Sequence, residues 1–64
     1  MKPLISIIIP TYNGEKFIDK TIKSCLNQTY ENIEIIIIND NSKDNTEKII
    51  YEFLYDQRIK YIKN

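Results

Sequence analysis

Two isoleucine runs organise the chain. Ile5-Ser6-Ile7-Ile8-Ile9 stops abruptly at Pro10-Thr11-Tyr12-Asn13, and Ile35-Ile36-Ile37-Ile38 stops at Asn39-Asp40-Asn41-Ser42. β-Branched side chains favour extended backbone, so the pattern predicts strands over Leu4 to Ile9, closed by Pro10, and over Ile33 to Asn39. The second run lacks polar alternation, as in a parallel strand covered on both faces. Between the runs the period changes. Phe17, Ile18, Thr21, Ile22, Cys25 and Leu26 form one stripe at helical spacing, with Lys16, Asp19, Lys20, Lys23 and Asn27 opposite, which predicts a helix from Glu15 to Asn27. Asn13-Gly14, with the only glycine, signals a turn before it. Asp40 to Asp44 reads as a polar loop. Ser42 or Asp44 can cap a second helix, and Asp44 and Glu47 have capping-box spacing. That helix is expected to reach about Tyr55 with Thr46, Ile49, Ile50, Phe53 and Leu54 inward. After a turn at Asp56-Gln57-Arg58, Ile59 to Lys63 reads as a third strand.

The element order is therefore β-α-β-α-β, an α/β arrangement. Right-handed crossovers put both helices on one face of a three-stranded parallel sheet. The other face and the edge of the first strand are then left uncovered, the latter an aggregation hazard. The expectation is that residues 1–64 are the opening part of a larger domain. At 64 residues the chain holds one small domain at most. Folding of such a domain buries only about 60% of the surface its unfolded chain exposes.

Charge removes some partners. Nine basic and nine acidic side chains cancel, so there is no electrostatic case for nucleic acid or an anionic membrane. The apolar runs fall far short of the roughly 18 residues a membrane span needs. Met1-Lys2-Pro3 leads directly into a strand pattern, so no signal peptide is expected. Cys25 is the only cysteine, which excludes an internal disulfide, and with no histidine present a zinc site is not expected. Cys25 belongs to the inward stripe and is expected in the core. The chain fits a reducing compartment and is expected in the cytoplasm, or in a longer parent at the cytoplasmic face of a membrane.

Several motif-like stretches carry little chemistry. The run from Gly14 to Thr21 nearly spells a P-loop, but Asp19 replaces the second glycine and would set a carboxylate against phosphate. A dinucleotide fingerprint fails for want of glycines. Asp40, Ser42 and Asp44 have the spacing of calcium-loop ligands, yet Asn45 and Tyr51 stand where that loop needs Gly and Glu. They read better as a capped helix start. Asn27-Gln28-Thr29 is a glycosylation sequon without a secretory signal.

The informative residues follow the strands. Ligands of open α/β sheets bind at the carboxyl ends of strands. Thr11, Tyr12 and Asn13 follow the first strand and Asp40 the second, and strands joined by one helix are often neighbours. A tyrosine ring offers a stacking face, and a carboxylate accepts hydrogen bonds only, which suits an imide N–H such as that of uracil. Spacing alone supports this crevice and a solvated pair of turns equally.

Three blocks resemble a known family. Ile5-Ser6-Ile7-Ile8-Ile9-Pro10-Thr11-Tyr12-Asn13, Leu26-Asn27-Gln28-Thr29-Tyr30 and Glu34-Ile35-Ile36-Ile37-Ile38-Asn39-Asp40-Asn41-Ser42-Lys43-Asp44-Asn45-Thr46 resemble the amino-terminal, nucleotide-binding part of family-2 glycosyltransferases of the GT-A fold. The resemblance covers nearly the whole chain and implies the Rossmann-like first half of that fold. It implies transfer of a sugar from a nucleotide-diphosphate sugar, foremost a uridine diphosphate sugar, to a glycan or lipid-linked acceptor. It assigns Thr11 and Tyr12 to the nucleoside, with Tyr12 on the base, Asp40 to the base imide, and Asn13 to the shape of the loop. Pro10 joins them in the pocket wall. Thymine and guanine also present ring N–H donors. The family often has an acid where Asn39 stands and a glycine where Asn41 stands, and Asn41 can still adopt positive φ. The resemblance further implies a divalent metal, manganese or magnesium, held by an Asp-x-Asp motif after the third strand, and a catalytic base further on. No residue of this chain is expected to hold the metal or to be catalytic, and the isolated chain is expected to be inactive. A non-catalytic truncated remnant and a flavodoxin-like nucleotide-binding module are the alternatives.

Overall fold

The computed structural model describes residues 2–64. Its elements run β1 (Ile5–Thr11), α1 (Ile18–Leu26), β2 (Ile33–Asn39), α2 (Thr46–Tyr51) and β3 (Ile59–Lys63). The three strands form one parallel sheet in the order β1-β2-β3. In register, Ile7 lies beside Ile35 and Ile35 beside Ile59, while Thr11 lies beside Asn39 and Asn39 beside Lys63. The polar ends of the isoleucine runs thus meet at one rim.

Alternation decides what is buried. Ile9, Ile33, Ile35, Ile37 and Ile59 pack with Ile18, Ile22 and Cys25 of α1 and with Ile50 and Phe53. The alternate residues of the sheet, Ile8, Ile36, Ile38 and Ile62, remain exposed or half-buried, with Ile8 61% exposed. This is the one-sided cover that right-handed crossovers predict. Both crossovers go to one side, and the described residues supply no second layer.

Pro10 does not close β1 but lies within it, paired with Ile38. The Ile5 N–H donates to the Asn32 carbonyl, and the Thr11 carbonyl accepts from the Asp40 N–H. Odd-numbered residues of β1 therefore turn their backbone groups toward β2 and even-numbered ones toward the free edge. Pro10 is even-numbered, so its missing donor costs the ladder nothing.

Both helices are shorter than their apolar stripes. Gly14 to Phe17 forms a turn in which the Gly14 carbonyl accepts from the N–H groups of Phe17 and Ile18, at 2.9 and 2.8 Å. Phe17 consequently caps α1 with non-helical φ and is 69% exposed rather than inward. Thr21 also faces out, its hydroxyl donating to the Phe17 carbonyl at 3.0 Å. Beyond Tyr51 the N–H groups of Glu52, Phe53 and Leu54 bond to carbonyls three residues back. This tightening ends α2 early while still delivering Phe53 to the core. Leu54 stays exposed.

Candidate functional site

The site lies at the carboxyl ends of β1 and β2 and is built from two loops. Asp40 is fixed first, because its backbone N–H donates to the Thr11 carbonyl at 2.9 Å. That bond extends the β1–β2 ladder one step past the strands and sets Asp40 beside Tyr12. Pro10, Thr11, Tyr12 and Asp40 line one cleft of about 210 Å³. Asp40 is exposed, and Tyr12 is 63% exposed. A second cleft, of about 290 Å³, shares Pro10, Thr11 and Tyr12 with it and runs along Gly14, Phe17 and Thr21. Of these two clefts only the smaller is lined by a carboxylate. Complete ligand pockets usually enclose roughly 300–1,000 Å³. The smaller cleft is a corner suited to a ring, not a site for a whole nucleotide sugar.

Asn13 lines neither cleft. It has φ 49 and joins the two loops. Its N–H donates to Ser42 Oγ at 2.9 Å, and its Oδ1 accepts from the Lys43 N–H at 2.8 Å. The Gly14 N–H donates to Thr46 Oγ1 at 2.8 Å, and the Glu15 N–H to Asp44 Oδ2 at 3.3 Å. Thr46, 0% exposed, also donates its hydroxyl and its N–H to Asp44 Oδ1. These bonds form a clasp between the loops. Burial alone would push the Asp44 carboxyl up, but the bonds from the Thr46 hydroxyl, the Thr46 N–H and the Glu15 N–H together outweigh it and hold it below its ordinary value.

The capping expectation is met in part. Asp44 satisfies the Thr46 N–H at the start of α2, but Glu47 does not reach back to it. Glu47 instead accepts from the Tyr61 hydroxyl at 2.5 Å and from Lys63 at 3.3 Å, and the bond from Tyr61 is the main reason its carboxyl is held low. Burial, with the Glu47 bond second, pushes the Tyr61 phenol up. Asn39, 1% exposed, donates to the Tyr61 hydroxyl at 3.0 Å and accepts from the Ser42 N–H and hydroxyl at 3.1 and 2.5 Å. One polar chain thus runs from β3 through Asn39 and Ser42 to Asn13. Burial also raises the Cys25 thiol, and Cys25 lies in the core away from both loops.

The sequence pattern missed the clasp. It read Ser42 and Asp44 as caps for their own helix and Thr46 as one more inward position. A polar residue on an apolar stripe was the available signal, since a buried hydroxyl needs a partner.

A parallel α/β layer with a polar rim at the carboxyl ends of its strands has that rim where open α/β sheets bind their ligands. Comparison with known proteins makes the assignment specific. The model of glycosyl transferase family 2 matches residues 6–64, and the chain belongs to that family. Its fold is the amino-terminal part of the GT-A fold. An uncharacterized glycosyltransferase of Rickettsia felis is 52% identical over 92% of this chain, and one of Haemophilus influenzae 52% identical over 97%. A GalNAc(5)-diNAcBac-PP-undecaprenol beta-1,3-glucosyltransferase of Campylobacter jejuni is 41% identical over 97%. The chain spans 10%, 20% and 20% of the lengths of these three relatives.

The family commonly uses a divalent metal. Among the described residues no group of three or more Asp, Glu, Cys or His side chains is placed to hold one. The one carboxylate of the clasp, Asp44, is engaged by N–H and hydroxyl donors, and Glu47 by Tyr61 and Lys63, so these residues do not fit that ion. No helix among the described residues is long and apolar enough to cross a membrane.

Proposed function

We propose that this chain forms the nucleoside-recognition corner of a glycosyltransferase that uses a nucleotide-diphosphate sugar, with uracil as the preferred base. The observation that carries this reading is the shared cleft of Tyr12 and Asp40. Tyr12 supplies the stacking face, Thr11 the adjoining polar wall, and Asp40 the acceptor for the base imide N–H. Asn13 shapes the loop through the clasp. A base lacking that donor leaves the Asp40 carboxylate without its partner, and this is the source of selectivity. The acceptor in this proposal is a glycan or lipid-linked sugar, reached from the cytoplasmic side. The chain contributes recognition and no acid–base group, so it turns over no donor by itself.

The test is a nuclear magnetic resonance titration of the chain with uridine diphosphate and with its imide-methylated analogue. Hydrogen bonds to charged groups contribute about 1.5–3 kcal/mol, so methylation weakens binding roughly ten- to hundredfold. Asp40→Ala removes the difference between the two ligands. Equal affinity of the unmodified chain for both would remove Asp40 from the pocket.

A further inference from the structure

We propose that Asn13–Gly14 is a site of spontaneous deamidation that the folded loops hold in check. An asparagine followed by glycine is open to attack by the next backbone nitrogen, because no Cβ shields it. In this reaction the Gly14 nitrogen loses its proton and forms a bond to Asn13 Cγ. The Cγ–Nδ2 bond breaks, and the amide leaves as ammonia, taking up that proton. Water then opens the resulting succinimide at either carbonyl. The products are an aspartyl form or an isoaspartyl form with one extra methylene in the backbone.

Solvent reaches this peptide, since Asn13 is exposed and Gly14 half-buried. Burial therefore does not protect it. What stands in the way is the clasp. The nucleophile is engaged, because the Gly14 N–H donates to the buried Thr46 hydroxyl at 2.8 Å. The electrophile is engaged as well, because Asn13 Oδ1 is held by the Lys43 N–H at 2.8 Å. The Asn13 N–H is tied to Ser42 Oγ at 2.9 Å, which fixes the turn between them. Attack requires the Gly14 nitrogen to leave Thr46 and the Asn13 side chain to swing from Lys43 toward it. Both come from the same loop opening. The product places a new negative charge next to Tyr12, on the rim that already carries Asp40. The modification is thus a one-way change to the face that the nucleotide reading assigns to the donor, although the chemistry does not depend on that reading.

The experiment follows the chain at mildly alkaline pH, native and in concentrated urea, by digestion and mass spectrometry that resolves the aspartyl and isoaspartyl forms at position 13. Thr46→Val removes the hydroxyl at nearly constant shape, Thr46→Ser keeps it, and Ile50→Val weakens the core one helical turn from Thr46 while leaving every hydrogen bond of the clasp in place. The native wild-type chain is expected to react far more slowly than the same chain in urea. Thr46→Val is expected to raise the native rate roughly three- to tenfold, as loss of one hydrogen bond implies, while Thr46→Ser and Ile50→Val stay near wild type. If Thr46→Val does not fold, Ser42→Ala is measured in its place, since it frees the Asn13 N–H without altering α2. A wild-type native rate equal to that in urea overturns the proposal. So does a clasp variant, whichever of the two is measured, that reacts no faster than Ile50→Val.

Discussion

At the scale of single residues, two asparagines do what glycine usually does. Asn13 and Asn41 have φ 49 and φ 56, the left-handed region that costs most side chains about 1–2 kcal/mol. Asparagine tolerates it because its short amide bonds locally. The single glycine does not use that freedom. A Cβ at Gly14 would lie 2.5 Å from Thr11 Oγ1, so the residue is small to make room for the wall of the cleft. Asn41→Ala is expected to lower stability by about 1 kcal/mol and Asn41→Gly to leave it equal or higher, as read from urea unfolding midpoints. Identical losses in the two variants would show that the backbone at Asn41 is not the cause. The Asn41 conformation was legible through the family resemblance, because the family often has glycine where Asn41 stands and asparagine can still adopt positive φ. The role of Gly14 was not, because Asn-Gly advertises a turn and hides a steric contact.

At the scale of elements, loops that the chain pattern shows as separate are tied to each other. The strands were legible because isoleucine repetition has one reading in a short chain, and Tyr12 and Asp40 were legible because they stand where those strands must end. The clasp joins residues roughly thirty positions apart, and no local period encodes such a pairing. Its electrostatics give a signed pH dependence. The carboxyls of Asp44 and Glu47 are held below their ordinary values of 3.8 and 4.5. The folded chain therefore binds these protons less readily than the unfolded chain does. Their contribution to stability is complete above the ordinary values and is lost progressively as pH falls through them toward the lower folded values. Unfolding midpoints measured from neutral pH downward should hold steady and then fall below about pH 4.5. Asp44→Asn should shrink that acid loss while lowering the neutral plateau, since an amide cannot match the acceptors that serve Thr46 and Glu15. An unchanged acid limb in Asp44→Asn would mean that Asp44 does not carry the effect.

At the scale of the molecule, one face of the sheet is finished and the other is not. Ile8, Ile36, Ile38 and Ile62 lie on the face without helices, and register sets Ile8 beside Ile36 and Ile38 beside Ile62. The outer edge of β1 is unpaired as well, with Pro10 its one built-in obstacle to another strand. Neither feature is opposed by charge, because the formal net charge is zero and copies do not repel. Apolar surface removed from water contributes about 25 cal/mol per Å², so covering this face is worth several kcal/mol to a chain whose own core is small. The chain on its own is therefore expected to associate as its concentration rises, which sedimentation equilibrium measures directly. Ile8→Lys combined with Ile62→Lys should abolish that association without lowering the thermal midpoint of the dilute chain, because both side chains are exposed in the single copy. A monodisperse monomer at every concentration would show that the alternating half-burial of β2 and the proline at its neighbour's edge suffice to keep the face solvated. Pro10 alternates to the same face as Ile8, lies beside Ile38 and also lines the cleft of Tyr12 and Asp40, so that cleft borders the associating surface. Uridine diphosphate should therefore bind the dilute monomer more tightly than the associated chain, which titration at two chain concentrations measures.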